Sequence, residues 1–210
     1  GLTLKYKLNS STKIYGQLML DELKVSEYTA NKGWWANKFA MQLGVKSAKV
    51  FGINNTFGFT EINLAKPYMY THRNSQRSYS HFNDALAHPL GANFIESVSR
   101  LEQQYKNFRT FIQINYARYG ADSAIGNVGN NILLSYNTRN SEYGNKILQG
   151  VNSSLLYVDA RLAYVINPKV NFCIELGYVY RNQQNAGQVN SANQITLALK
   201  TGFRNLYWDR

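Results

Sequence analysis

From Leu2 to Leu8 every second residue is apolar, with Leu2, Leu4, Tyr6 and Leu8 alternating with Thr3, Lys5 and Lys7. A strand points successive side chains to opposite faces, so this spacing predicts a strand with one apolar face. The pattern recurs at Ile14, Gly16, Leu18 and Leu20, at Phe39, Met41, Leu43 and Val45, and more weakly at Thr60, Ile62 and Leu64. Residues 92–105 read as a strand with poor alternation, followed by one carrying Phe108, Ile112, Ile114 and Tyr116. The last three strands are the clearest: Leu156 through Ile166, Val170 through Tyr180, and Ile195, Leu197, Leu199, Thr201 and Phe203. About nine strands result, each of the length a membrane-spanning strand needs.

The connections alternate as well. Short ones near Asn9–Ser11, Gly52–Asn55, Tyr105–Asn107 and Asn167–Lys169 take turns with long polar ones over 26–36, 67–91, 120–150 and 183–192. Short turns on one rim and long loops on the other are the pattern of an outer-membrane β-barrel, with the short turns periplasmic. In that orientation Tyr6, Phe108, Tyr164, Phe172, Phe203, Tyr207 and Trp208 fall near one interface, and Tyr116, Tyr178 and Tyr180 near the other, as two aromatic girdles. Bacterial barrels have an even strand number, so residues 1–210 are expected to be the C-terminal part of one barrel domain, its N-terminal part missing. The fold class expected is all-β, a transmembrane antiparallel barrel.

A Lys or Arg on the lipid face near the midplane costs roughly 2–4 kcal/mol, so charges should share the inward phase. Lys5, Lys7, Asp21, Lys38, Lys46, Glu61, Arg109, Asp159, Arg161, Glu175, Arg181, Lys200 and Arg204 all fall on the polar side of their strands. They read either as a self-compensated network or as a basic lumen attracting an anionic ligand, for which Lys5, Lys7, Lys38, Lys46, Arg109, Lys200 and Arg204 are the candidates. A three-residue turn at Asn167, Pro168 and Lys169 would set Ile166 opposite Val170, Tyr164 opposite Phe172 and Leu162 opposite Ile174. Arg161 and Glu175 would then form a cross-strand lumen ion pair flanked by Asp159.

Composition alters this picture little. The net charge of +11 fits nucleic acid, an anionic membrane surface or an anionic glycan. The basic residues are dispersed by twos and form no nucleic-acid motif, so no nucleic-acid partner is assigned. The single Cys173 allows no internal disulfide and no CxxC site, and it reads as packing. No 18-residue apolar run encodes a transmembrane helix. His72, His81 and His88 share one loop with Ser78 and Ser80, but at no recognised ligand or nucleophile spacing, so no catalytic residue, metal site or cofactor is assigned. An outer-membrane enzyme using loop 67–91, or a pore, remains the alternative, and a soluble β-sandwich is disfavoured by the apolar faces. Asp122, Ser123 and Ala124 match a short O-glycosylation acceptor pattern used in Bacteroidota.

Three stretches carry a family likeness: "KIYGQLMLDELKVSEY" with "KGWWANKFAMQLGVK" (13–46), "INLAKPYMYTH" with "YSHFNDALAHPLGANF" (62–94), and "YVINPKVNFCIELGYVYR" (164–181). The chain resembles the C-terminal half of the RemB-like gliding-motility proteins of Bacteroidota, which are similar in turn to the Wzi-like capsule-assembly barrels. The resemblance implies a non-enzymatic outer-membrane protein acting at the cell surface, in gliding or in polysaccharide retention. Its implied partners are outer-membrane lipid, surface polysaccharide or lipopolysaccharide, and other outer-membrane, secretion or motility proteins.

Overall fold

The computed structural model describes residues 1–123 and 126–202. Among them the chain is almost wholly β. Nine long strands, β1 (Leu2–Lys7), β2 (Thr12–Glu22), β3 (Lys38–Ser47), β4 (Thr56–Ala65), β7 (Phe94–Tyr105), β8 (Phe108–Ala121), β9 (Val151–Asn167), β10 (Phe172–Asn185) and β11 (Gln188–Lys200), form one antiparallel sheet. The two-residue strands β5 (Ser80–His81) and β6 (Asp84–Ala85) make a ribbon within the β4–β7 connection, and the one α-helix, α1, is Val25–Thr29. Long strands pair in sequence order, so each is joined to the next by a hairpin connection and no crossover is needed. β1 and β11 are the outer strands.

Register carries one phase across the whole sheet. On one side Tyr6, Ile14, Val45, Thr60, Ser99, Ile114, Val158 and Tyr180 stand opposite one another in a row. On the other side the neighbouring row is Lys7, Lys13, Lys46, Phe59, Arg100, Gln113, Asp159 and Val179. Within the first row the Thr60 and Ser99 hydroxyls hydrogen-bond to each other at 2.8 Å, so the two polar groups satisfy one another on an otherwise apolar face. Even β7, whose alternation is poor because Ser97 and Ser99 stand on that face, is held in phase by its two neighbours.

Exposure is inverted relative to a soluble sheet. On the apolar face Leu43, Ile62, Ile114, Leu162 and Leu176 are 44–53 % exposed, whereas Glu96, Asp159, Ala163 and Cys173 on the polar face are 2–7 % exposed. Side chains crowd on the inside of a curved sheet and splay on its outside, so the polar face is the concave one. On the convex face Tyr105, Phe108 and Tyr164 pair across neighbouring strands near the short turns and Tyr116 lies toward the long connections, whereas Tyr178, opposite Ala160 at the level of Ile112, sits midway between them. Phe203, Arg204, Tyr207 and Trp208 lie outside the described residues.

The compact core lies at one end of the concave face. Ala40, Ala65, Phe94 and Tyr119, a single cross-strand row, cluster with Met69, Ala92 and Ile132 from the connections 66–93 and 122–150. In this row the concave face turns from charged to apolar, which is what lets the two long connections fold over it and leave water.

Two sequence expectations are corrected. The segment 183–192 is no long loop: the β10–β11 ladder runs from Cys173↔Lys200 to Asn185↔Gln188, closed by Ala186 and Gly187. Both turn residues have positive φ, +50° and +80°, the geometry of a two-residue turn whose twist matches the flanking strands. The Asn- and Gln-rich composition that reads as loop is simply strand with polar side chains on both faces. The β9–β10 register is also displaced by two residues from the expected one. A short 3-10 turn, left-handed Asn171 and an irregularity at Phe172/Cys173 set Tyr164 opposite Ile174, Leu162 opposite Leu176 and Arg161 opposite Gly177. The faces are unchanged, because an even shift preserves parity.

Ala186 adopts a left-handed conformation unfavourable to a residue with a Cβ, and Asn tolerates it better. Ala186→Asn is therefore expected to raise unfolding stability by about 0.5–1 kcal/mol. Denaturant titration in detergent reads this directly, and an unchanged or lowered midpoint would contradict the turn assignment.

Candidate functional site

The concave face gathers the charges of the sheet, and its ladders decide which remain available. Lys7, Lys13 and Lys46 stand directly opposite one another on β1, β2 and β3, with Lys5 one step away opposite Tyr15. The Lys46 ammonium sits 5.3 Å from the Tyr15 ring centre. The Tyr15 hydroxyl donates to Glu61 at 2.6 Å, and Asn63 donates to the same carboxylate at 3.1 Å. Tyr15 lies across Gly44, where a Cβ would come 2.6 Å from the phenolic oxygen, so only glycine leaves room for this hydrogen bond. Lys13 was absent from the sequence candidates, although hairpin parity alone puts it beside Lys7.

Other sequence candidates are engaged within the fold, Lys38 and Lys200 by carboxylates and Arg109 by a neutral side chain only. Lys38, almost fully buried, is held by Asp21 at 2.8 Å and Glu22 at 3.5 Å and lies over the Trp35 and Tyr136 rings. Lys200 reaches Glu175 at 2.5 Å. Arg109 donates to the Asn171 side chain at 3.1 Å and borders a recess with Phe57, Glu102 and Gln104. Arg161 binds Asp159 on its own strand through two hydrogen bonds of 2.8 and 2.7 Å, and Glu175 lies farther, at 3.6 Å. The displaced register explains this: Glu175 is opposite Ala163, so Arg161 meets it only diagonally. Arg204 lies outside the described residues.

At the long-connection end the structure is braced by residues the charge pattern gives no hint of. Asn93 is fully buried with φ +58°, and its amide nitrogen donates to the Gly120 carbonyl at 2.7 Å and the Gln149 carbonyl at 2.8 Å. Its amide oxygen accepts from the Leu148 N–H at 2.8 Å. One side chain thereby ties 66–93, the end of β8 and 122–150 together. Asp122 organises the last of these by accepting the N–H groups of Val128, Gly129 and Asn131. Its carboxylate thus has a structural role beside Ser123, and Ala124 of the same tripeptide lies outside the described residues. Tyr68, buried, donates to the Asn127 carbonyl at 2.8 Å, and burial pushes its phenol pKa up, as it does for Tyr70. Trp35 meets Tyr136 at 4.7 Å and Arg139 at 4.4 Å.

The three histidines are not brought together. The His72 Nδ1 accepts from the Asn74 N–H, His81 lies against Phe82, and His88 stacks on Phe94 with its Nε2 2.9 Å from Glu96. Because the Nδ1 of His88 accepts from the Leu90 N–H, its Nε2 is the protonated nitrogen and donates to Glu96. Among the described residues no Ser, Thr or Cys side chain hydrogen-bonds to a histidine ring nitrogen, and no group of three or more His, Cys, Asp or Glu is placed to hold a metal. His88 also borders a cavity of 230 Å³ with Tyr70, Tyr79, Gln17, Gln42 and Asn63, beneath the 66–93 connection. A second recess, of 380 Å³, opens between α1 and Lys66 and is lined by Glu27, Tyr28, Trp34 and Asn37.

Removing the Asn93 side chain strips a partner from one buried and two partly buried backbone groups. Asn93→Ala is expected to lower stability by about 2–4 kcal/mol and to make 122–150 more susceptible to proteolysis, with the nine-strand far-UV spectrum retained. Limited proteolysis with thermal unfolding in detergent measures both. No protein-family model, curated protein or solved structure matches the chain.

Proposed function

We propose that this chain is part of a transmembrane β-barrel of a bacterial outer membrane, acting non-enzymatically at the cell surface in polysaccharide retention or gliding motility. The observation that carries the reading is the apolar face that continues in register across nine strands while remaining open. A contiguous apolar face running across nine strands is more than the few hundred Å² of apolar patch typical of soluble monomers, and lipid is the solvent that suits it. The dimensions agree. From Phe108 to Tyr116 the strand advances about 27 Å, or about 20 Å along the normal at a tilt near 40°, comparable with the ~25 Å apolar band of such barrels. Arg118 is a charge on the apolar face, opposite Ile95, and it lies beyond Tyr116, where a long side chain reaches the headgroups.

The long connections then face the cell exterior. Two of them fold over the concave face around Asn93, which favours a capped interior over an open pore. Polysaccharide or lipopolysaccharide would meet the outer surface of this cap, and a partner protein could dock on it.

Recovery in the outer-membrane fraction and heat-modifiable gel migration are expected, and a freely soluble, detergent-independent monomer would contradict the proposal. Substitution gives a sharper test of which face meets lipid. On refolding into bilayers, Ile114→Arg is expected to cost about 2–4 kcal/mol, and Gln113→Arg, one residue away on the concave face, no more than about 1 kcal/mol. Equal costs would show that the convex face does not touch lipid.

A further inference from the structure

The recess beside α1 brings together groups that the fold itself engages only in part. Trp34 forms one wall, half-buried and braced edge-on by Trp35 at 6.3 Å, with the Lys24 ammonium 5.6 Å from its ring centre. Lys66, directly after β4, lines it with an ammonium whose nearest charged or aromatic contact is the Phe39 ring at 5.7 Å. Burial lowers the Lys66 pKa, and no neighbouring carboxylate offsets the effect. Asn37 is 3 % exposed; its Oδ1 accepts from the Lys24 N–H at 2.8 Å, while its Nδ2 donates to nothing among the described residues. Glu27, the acidic residue at the rim, is already paired with Lys24 at 3.3 Å.

An aromatic wall, an ammonium with no carboxylate partner among the described residues and the unpartnered amide nitrogen of Asn37 converge on a space of 380 Å³, which falls in the size range of small-ligand sites. A flat apolar ring suits the C–H face of a sugar, and the free amide N–H suits a hydroxyl. The ammonium suits a single negative charge, since a phosphate dianion would leave one charge unmatched. We propose that this recess binds a uronate residue of an acidic polysaccharide, its ring against Trp34, its carboxylate on Lys66 and a ring hydroxyl accepting from Asn37. The inference rests on the surface-glycan reading above and adds to it the ligand class and the site.

The test uses the full chain in detergent, titrated calorimetrically with a hyaluronan tetrasaccharide, tetragalacturonate and neutral maltotetraose. At least one of the two uronates is expected to bind, and to bind at least tenfold more tightly than maltotetraose. Lys66→Met is expected to abolish that preference, and Trp34→Ala to weaken the uronate at least tenfold. Asn37→Asp is nearly isosteric and keeps the acceptor for the Lys24 N–H, so it is expected to fold; its added charge should weaken uronate binding at least tenfold. Lys169→Met, in the short β9–β10 turn at the opposite end of the sheet, is expected to leave binding unchanged. Heat-modifiable migration of each variant confirms folding. Failure of both uronates to bind a heat-modifiable, outer-membrane-located protein would overturn the recess and leave the barrel reading standing. Uronate binding indifferent to Asn37→Asp, or abolished by Lys169→Met, would also overturn it. Recovery of the chain as a soluble protein would instead count against the barrel reading.

Discussion

The structure depends on phase. Antiparallel pairing holds nine strands so that every second residue of each joins the same face, and a slip of one residue in any ladder would exchange the two faces of that strand. On the proposed reading that the convex face meets lipid, a single Arg or Lys misplaced near its middle would cost roughly as much as several good cross-strand contacts return. The irregularities present obey this restriction. The displacement at Phe172/Cys173 changes which residues are opposite one another by two, and Arg161, Glu175 and Asp159 stay on the concave side.

A consequence is that the sheet has no conventional core. Its apolar side chains point away from the rest of the chain, and its concave side is filled by paired charges, amides and small residues. Apolar burial within the chain is therefore displaced to the rim, where the concave row Ala40, Ala65, Phe94 and Tyr119 receives Met69 and Ile132. Hydrogen bonds complete that region. Asn93 and Asp122 satisfy the backbone of long connections that no ladder serves, because a buried N–H or carbonyl without a partner costs about 1–3 kcal/mol.

The same economy sorts the cations. Where a carboxylate lies within reach, as for Lys38, Arg161 and Lys200, the charge is taken up inside the structure and a ligand would have to displace it. The Lys7–Lys13–Lys46 row and Lys66 are different: the row sets like charges opposite one another, and Lys66 is partly desolvated with no counter-ion among the described residues. Both are places where an anion would find uncompensated charge. Lys66 adds to this an enclosed recess with an aromatic wall.

The number of long strands, their faces and the sharing of one face by the strand charges other than Arg118 were legible in the sequence, since period-two alternation is a local property that each strand records by itself. The long polar connections 67–91 and 120–150 were legible for a similar reason. The hairpin at Ala186–Gly187 was not: Asn and Gln on both faces erase the alternation, and only the continuing ladder reveals a strand. The same holds for the partners of Arg161 and for the role of Asn93, which depend on a turn geometry and on connections separated by more than fifty residues. The sequence by itself thus determined which side chains share a face. Which of them touch was decided by the tertiary structure, because contact depends on register, turn conformation and the folding of the long connections over the concave face, none of which is recorded in the alternation of a single strand.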